Sequence, residues 1–126
     1  MRVVVGIVVK EKDVLLIRRK LAEPGLDICF PGGKVETGQT EEEAVELEVL
    51  QETNVKSKVV KKLGEKPHPT NSDITLSYFY CEYVSSEPKV CEPDKHSDVF
   101  FKNSDEACEI IGRDLTPFVK DFLLTL

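Results

Sequence analysis

The chain has 126 residues, with 17 Lys plus Arg against 23 Asp plus Glu and a net charge of −6. That length suits one domain able to bury most of the surface its unfolded chain exposes, and the acidic balance argues against non-specific binding to nucleic acid polymers or anionic membranes, which want basic patches. No apolar run approaches the length of a membrane span and the N-terminus lacks a signal-peptide pattern, so a cytoplasmic location is expected.

Arg2 to Lys10 is rich in valine and isoleucine, and Val14 to Arg19 is a second apolar run beyond the polar turn Glu11-Lys12-Asp13. The pair predicts a β-hairpin, with Gly6 marking either a close approach to the backbone or a bulge. The second strand ends in Arg18-Arg19-Lys20, charges that are either solvated or aimed at phosphate, which a guanidinium matches with a planar fork. Leu21 to Asp27 contains Pro24 and Gly25 and is predicted to be a loop.

The stretch from Gly32 to Val55, GGKVETGQTEEEAVELEVLQETNV, carries the chemistry. It follows Phe30-Pro31, and its paired glycines allow a backbone turn that other residues resist. Thr40 and Glu43 make a capping box that starts a helix at Glu41 and carries it to about Thr53. Ala44, Leu47 and Leu50, with Val45 and Val49, are expected to form its broad apolar surface. Glu41, Glu48, Gln51 and Glu52 fall on one face beside that surface. Like charges one turn apart, such as Glu48 and Glu52, cost about 0.2–0.5 kcal/mol in an isolated helix. A divalent cation reverses that sign, since Mg²⁺ takes carboxylate oxygens and completes its shell with water and substrate phosphate. The plain alternative is a solvated acidic helix face.

This stretch resembles the signature box of Nudix hydrolases, whose pattern is G-x5-E-x7-R-E-U-x-E-E-x-G-U with U aliphatic. Gly33 matches the leading glycine, Glu48 the glutamate of R-E-U, Val49 its aliphatic neighbour, Glu52 the second glutamate of E-E and Val55 the closing aliphatic. Gln39, Leu47, Gln51 and Asn54 stand where the pattern has Glu, Arg, Glu and Gly. Asn54 is a mild change, because Asn tolerates a left-handed backbone. Leu47 removes a cation that would orient box carboxylates, Gln51 keeps an uncharged oxygen, and Gln39 cannot accept a proton. The resemblance implies that Glu48 and Glu52 bind metal and help activate water. On that basis the expected metal set is Gly32 through its carbonyl, Glu48, Gln51 and Glu52, around Mg²⁺ or Mn²⁺. Arg19 and Gly33 are the expected substrate contacts, Arg19 because MutT-like members often end their second strand in paired arginines. A V-G-I triplet like Val5-Gly6-Ile7 also occupies the first strand of MutT-like members, beside the substrate.

Val55 to Leu63 is predicted to be a strand interrupted at Gly64, followed by a stiff polar loop, Lys66-Pro67-His68-Pro69, with His68 either solvated or touching substrate. Ile74 to Val84 alternates with both faces partly apolar, as a central strand would. Ser85 to Lys95 is turn-rich, and Asp98 to Phe101 is a short final strand. The resemblance implies a further carboxylate from outside the box, and spacing selects none of Glu92, Asp94 and Asp98. Ser104 is expected to cap a short helix ended by Gly112, and Thr116-Pro117 to open another whose Phe118, Val119, Phe122, Leu123 and Leu126 pack on the sheet. Cys29, Cys81, Cys91 and Cys108 are scattered without zinc spacing and are expected to be buried free thiols.

Strands and helices are mixed without strict alternation, which predicts an α/β (α+β) fold with a mixed β-sheet flanked by helices. The resemblance implies a single Nudix-type α/β/α sandwich over residues 1–126; it is specific in the box, moderate over residues 3–33 and weak beyond residue 60. Three readings follow. One is a Mg²⁺-dependent pyrophosphohydrolase, possessing reduced activity, that cleaves the diphosphate linkage of a small nucleoside di- or triphosphate derivative. Another is a Nudix-fold module that has lost turnover through Gln39, Leu47 and Gln51 and binds a nucleotide or a protein. The last is a structural domain. Oxidised or ordinary nucleoside triphosphates suit the MutT-like front end, Pro69 lies near the region where ADP-ribose hydrolases of the family carry a proline, and a free strand edge is compatible with a homodimer.

Overall fold

The computed structural model describes residues 1–22, 27–112 and 115–126. Its elements are β1 (Arg2–Lys10), β2 (Asp13–Arg19), β3 (Ile28–Cys29), β4 (Gly32–Lys34), α1 (Glu41–Thr53), β5 (Lys56–Pro67), β6 (Thr75–Ser85), β7 (His96–Asn103), α2 (Ser104–Ile111) and α3 (Pro117–Leu123). The loop expected around Pro24 and Gly25 falls largely outside the described residues.

The strands form one mixed sheet in the order β3-β2-β1-β6-β5, with β4 added to β1 and β7 to β2. β1 and β2 make the expected hairpin, Lys10 opposite Asp13, while β1 runs parallel to β6. β6 is therefore flanked on both sides, as its two apolar faces require.

Alternation along β1 divides the core. Val4 and Val8 join Leu15, Ile17, Phe79 and Cys81 beneath Ala44, Val45 and Val49 of α1. Ile7 and Val9 face the other way, with Leu16 and Tyr78, against Ala107, Leu115, Val119 and Leu123 of the C-terminal segment. Helices thus cover both faces of the sheet. Phe118 meets Tyr78 edge-on at 5.4 Å and Phe122 packs on Tyr80 at 4.7 Å, so the C-terminal aromatics do pack on the sheet.

Gly6 sits where one edge of β1 changes partner from β4 to β2, and its N–H donates to the Pro31 carbonyl at 2.8 Å. The β1–β6 register runs through it unbroken, so it is no bulge. A Cβ there would lie 2.9 Å from Val49 Cγ2 and 3.2 Å from Val45 Cγ2. Glycine at this point is what lets α1 settle against the sheet.

The helix itself starts and stops as its sequence demands. Thr40 Oγ1 accepts from Glu43 N–H at 3.1 Å, Glu43 Oε1 accepts from Thr40 N–H at 3.0 Å, and Asn54 ends the helix in a left-handed conformation with φ 67°. Its buried side differs from the expected one. Ala44, Val45 and Val49 are buried, whereas Leu47 and Leu50 are 40% and 43% exposed. At about 100° per residue, Glu48 and Glu52 fall between Ala44 and Val49 on the sheet-facing side. The leucines lie on the opposite flank. The helix turns carboxylates inward, and of the expected apolar surface Ala44, Val45 and Val49 are buried while Leu47 and Leu50 are not.

Smaller departures have local causes. β5 continues through Gly64 to Pro67, absorbing the irregularity in a register shift between Lys62 and Gly64, with Phe118 of α3 resting where a Cβ of residue 64 would stand, 3.1 Å away. β7 is longer than Asp98 to Phe101 because β2 pairs with it along its whole length, from Asn103 to His96. The cap of α2 is Asn103, whose Oδ1 accepts from Asp105 N–H at 2.9 Å, and Ser104 is instead a buried first-turn residue. All of the cysteines are free, with Cys81 buried and Cys29, Cys91 and Cys108 half-buried. No described helix is long and apolar enough to cross a membrane.

Candidate metal and phosphate site

The inward carboxylates of α1 meet the backbone of β4. Gly32 N–H donates to Glu52 Oε1 at 2.8 Å. Gly32 and Gly33 do not make the turn expected of them but lie in β4, paired antiparallel with β1, and neither has room for a side chain. A Cβ on Gly32 would overlap the Val4 carbonyl oxygen across the β1–β4 ladder, and one on Gly33 would stand 2.5 Å from Glu48 Oε2. Glu48 therefore lies directly over Gly33, which makes room for it, while the missing side chain of Gly32 makes room for β1 and its N–H reaches Glu52.

A third carboxylate comes from the turn before β7. Lys95 N–H and His96 N–H both donate to the Glu92 carbonyl at 2.9 Å, a single helical turn that puts Glu92 and His96 on one side. One donor atom each from Glu52, Glu92 and His96 lies within 4.8 Å of the others. His96 Nε2 stands 3.7 Å from Glu52 Oε2, the imidazole is 6% exposed, and its Nδ1 is buried without a hydrogen-bond partner. Of the outside acids, Glu92 is the one that reaches the cluster. Asp94 is exposed, and Asp98 Oδ1 accepts from Val99 N–H at 2.9 Å. His96 was not singled out by the sequence; the four-residue step from Glu92 was the only signal for it.

Burial sets the electrostatics here. It pushes the Glu52 carboxyl up to about 7; the Gly32 N–H opposes that shift, while the charges of Glu48 and Glu92 reinforce it. Glu48 is raised as well, by burial and then by Glu92 and Glu36, and burial lowers His96. Glu41 shares their side of the helix and behaves oppositely. Burial works to raise it too, yet bonds from Ser77 and Lys62 and the charges of Lys62 and Arg2 outweigh that and lower it. Its carboxylate sits 3.1 Å from Lys62 Nζ and 3.4 Å from Arg2 Nη1, in an ion-pair network of its own. Burial first and neighbouring carboxylates second thus raise Glu48 and Glu52, and a divalent cation would offset that cost; the donor atoms brought together for one are those of Glu52, Glu92 and His96, with Glu48 outside that group.

The other box positions are placed as follows. Gln51 is exposed on the flank of α1. Gln39 Oε1 accepts from Glu36 N–H at 2.9 Å and closes the loop before the helix. Asn54 adds a bond from Nδ2 to the Glu87 carbonyl at 3.0 Å to its left-handed backbone.

A cleft of about 520 Å³ opens beside the cluster, walled by Val5, Ile28, Phe30, Tyr78, Leu115 and Val119. Arg19 and Cys29 also line it and connect it to the acids. Arg19 pairs with His96 across the β2–β7 ladder, and Cys29, whose thiol burial pushes up to about 11, feels the charges of both Arg19 and Glu52. His68 and Pro69 reach the rim, where His68 Nδ1 accepts from Thr70 N–H at 3.2 Å. An apolar pocket thus adjoins a guanidinium and a carboxylate cluster, a combination fitted to a molecule with a flat ring at one end and phosphate at the other.

That arrangement defines a class: a sheet between helices, with a glycine pair in a short strand pressed against inward glutamates of one helix. The NUDIX domain family model matches residues 1–122. The chain is 33% identical over 121 residues to an ADP-ribose pyrophosphatase of Methanocaldococcus jannaschii, covering 94% of this chain and 70% of that one. It is 30% identical over 113 residues to the 8-oxo-dGTP diphosphatase of Escherichia coli, covering 84% and 86%. A MutT Nudix hydrolase from Burkholderia pseudomallei superposes with a TM-score of 0.76 at 25% identity, over 99% of this chain and 96% of that one. The chain belongs to the Nudix hydrolase family and is MutT-like.

Proposed function

We propose that residues 1–126 form a single Nudix domain that hydrolyses the diphosphate linkage of a nucleoside di- or triphosphate derivative with Mg²⁺ or Mn²⁺. The carrying observation is the placement of Glu48 against Gly33 and of Glu52 against Gly32, with Cys29, which feels the charges of Glu52 and Arg19, lining the neighbouring apolar cleft. When bound, the cation polarises phosphoryl oxygens and lowers the pKa of a coordinated water. Glu52 is the anchor for it, because the Gly32 N–H fixes one oxygen and leaves the other facing Glu92 and His96. Glu48 carries no hydrogen bond among the described residues, and its pKa is raised, so it is the carboxylate suited to take the proton of the attacking water. The Gly32 carbonyl and Gln51 are secondary oxygen donors in this reading. Arg19 holds a phosphate and the Phe30 side of the cleft holds the base, with Gly33 against the substrate. Water oxygen bonds to phosphorus, the bridging P–O bond breaks, and the departing phosphate or pyrophosphate takes the electron pair.

Nucleoside triphosphates, oxidised ones included, are the first candidates and ADP-ribose the second, since the two relatives named above act on 8-oxo-dGTP and ADP-ribose. Activity is reduced in this reading, because Gln39 and Gln51 supply no negative charge and Leu47 no positive one. The test is chromatographic detection of the nucleotide products formed from a panel of nucleoside triphosphates, 8-oxo-dGTP and ADP-ribose under Mg²⁺ and Mn²⁺ titration. Metal-dependent turnover that collapses in Glu52→Gln supports the reading. Absence of turnover, with tight binding of non-hydrolysable analogues, would replace it with the binding module.

A further inference from the structure

His96 is the one buried side chain at this site whose chemistry the hydrolase reading leaves unused. It lies on the first residue of β7, is held by its backbone bond to Glu92, and is 94% enclosed with Nδ1 unpartnered and Nε2 directed at Glu52. The 3.7 Å between Nε2 and Glu52 Oε2 is too long for a hydrogen bond. It is a normal separation for two atoms that share an ion. Donors each about 2.2 Å from one cation stand roughly 3.1 Å apart at right angles and roughly 4.4 Å apart when opposed. The 4.8 Å limit that encloses the donors of Glu52, Glu92 and His96 asks for only a small inward movement.

From this geometry we infer that His96 gives an imidazole nitrogen directly to the cation held by Glu52 and Glu92, so that the site prefers Mn²⁺, and related ions that accept nitrogen, over Mg²⁺. The inference rests on reading Glu52 as a metal-holding carboxylate and adds a ligand that the box does not contain. An all-oxygen site suits Mg²⁺, whereas imidazole suits first-row transition ions. Nδ1 of the buried ring lacks a partner and Nε2 has only the long contact to Glu52, so coordination at one nitrogen supplies a bond that the ring otherwise goes without. The same ladder that sets Arg19 opposite His96 fixes the ring at the junction of cluster and cleft, so the nitrogen would act within reach of the substrate's phosphates.

The direct test needs no variant. The full chain loaded with Mn²⁺ is examined by pulsed electron paramagnetic resonance for ¹⁴N coupling, and repeated with ¹⁵N-histidine. A modulation from one directly bound imidazole nitrogen, changing to the ¹⁵N pattern, is expected. His96→Gln and His96→Asn, checked for folding by thermal unfolding, are then titrated calorimetrically with Mn²⁺ and Mg²⁺. Each is expected to lose the coupling and about tenfold in Mn²⁺ affinity while Mg²⁺ affinity changes little. Mn²⁺ bound at the cluster with no nitrogen coupling, or an equal loss for both ions, would overturn this inference and leave the Glu48–Glu52 reading standing. Failure of Glu52→Gln to weaken either ion would overturn both.

Discussion

Glu52 accepts a 2.8 Å hydrogen bond from the Gly32 N–H on one oxygen and turns the other toward His96, 3.7 Å away. Without a cation this is an uncomfortable place for a charge, and burial holds the carboxyl at about 7 instead of its ordinary 4.5. Between those values the folded protein binds more protons than the unfolded chain, so stability falls as pH rises through the interval and levels off above it. The whole effect is on the order of 3 kcal/mol, from about 1.4 kcal/mol per pKa step. Glu52→Gln keeps an oxygen for Gly32 and removes the charge. Urea unfolding in chelator from pH 4.5 to 8 is expected to show a falling stability for the native chain and a flatter profile for the variant. Identical slopes would mean that Glu52 does not titrate as argued, and saturating Mn²⁺ should remove the fall by stabilising the ionised form.

The neighbouring glycines separate stability from function. Gly32→Ala drives a methyl into the Val4 carbonyl, a backbone atom that moves only with the β1–β4 ladder, and is expected to cost about 1–3 kcal/mol or more. Gly33→Ala meets only the end of Glu48, a flexible side chain that swings away. Its expected result is near-native thermal stability with a loss of turnover of about a hundredfold, since general-base catalysis is worth about 10²–10⁴. If Gly33→Ala turned over like the native chain, Glu48 would not be the proton acceptor.

Much of this was legible beforehand. The Thr40–Glu43 cap and the Glu48–Glu52 spacing are local signals that act within one turn, whereas the box glycines were legible through the resemblance, since they meet Glu48 and Glu52 across the strand-to-helix connection. The inward face of α1 was not legible, because Leu47 and Leu50 look like core and the helix gives its sheet side to Ala44, Val45, Val49 and two glutamates. His96 was hidden for a different reason. It reaches Glu52 from 44 positions along the chain through the β2–β7 pairing, and no periodicity encodes a tertiary meeting of that kind.

Phe30 bears on the cleft without belonging to the carboxylate cluster. It is half-buried and lines, with Leu115 and Val119, the space proposed for the base. Base–aromatic stacking is worth about 1–3 kcal/mol. Phe30→Ala is therefore expected to raise KM about tenfold while kcat falls little, because the ring grips the substrate in both ground and transition states. A fall in kcat with KM unchanged would relocate the base away from this wall.

The last prediction concerns the positions where the box departs from its pattern. Gln39 already accepts from Glu36 N–H, and Glu at 39 retains that bond, so Gln39→Glu is expected to be neutral in stability. Gln51 is exposed, and Glu there adds a second full charge one residue from Glu52 without any burial cost. Leu47 is 40% exposed, so arginine fits with its stem along α1 and its charge free to reach Glu43 one turn back. The triple change Gln39→Glu, Leu47→Arg and Gln51→Glu is expected to raise metal affinity and kcat/KM together, by about tenfold or more, if the native chain is a weakened enzyme. Steady-state kinetics at several Mg²⁺ concentrations measures both. A triple variant that binds metal more tightly and yet turns over no faster would show that the cleft, and not the ligand set, limits the reaction, which is the behaviour of a binding module.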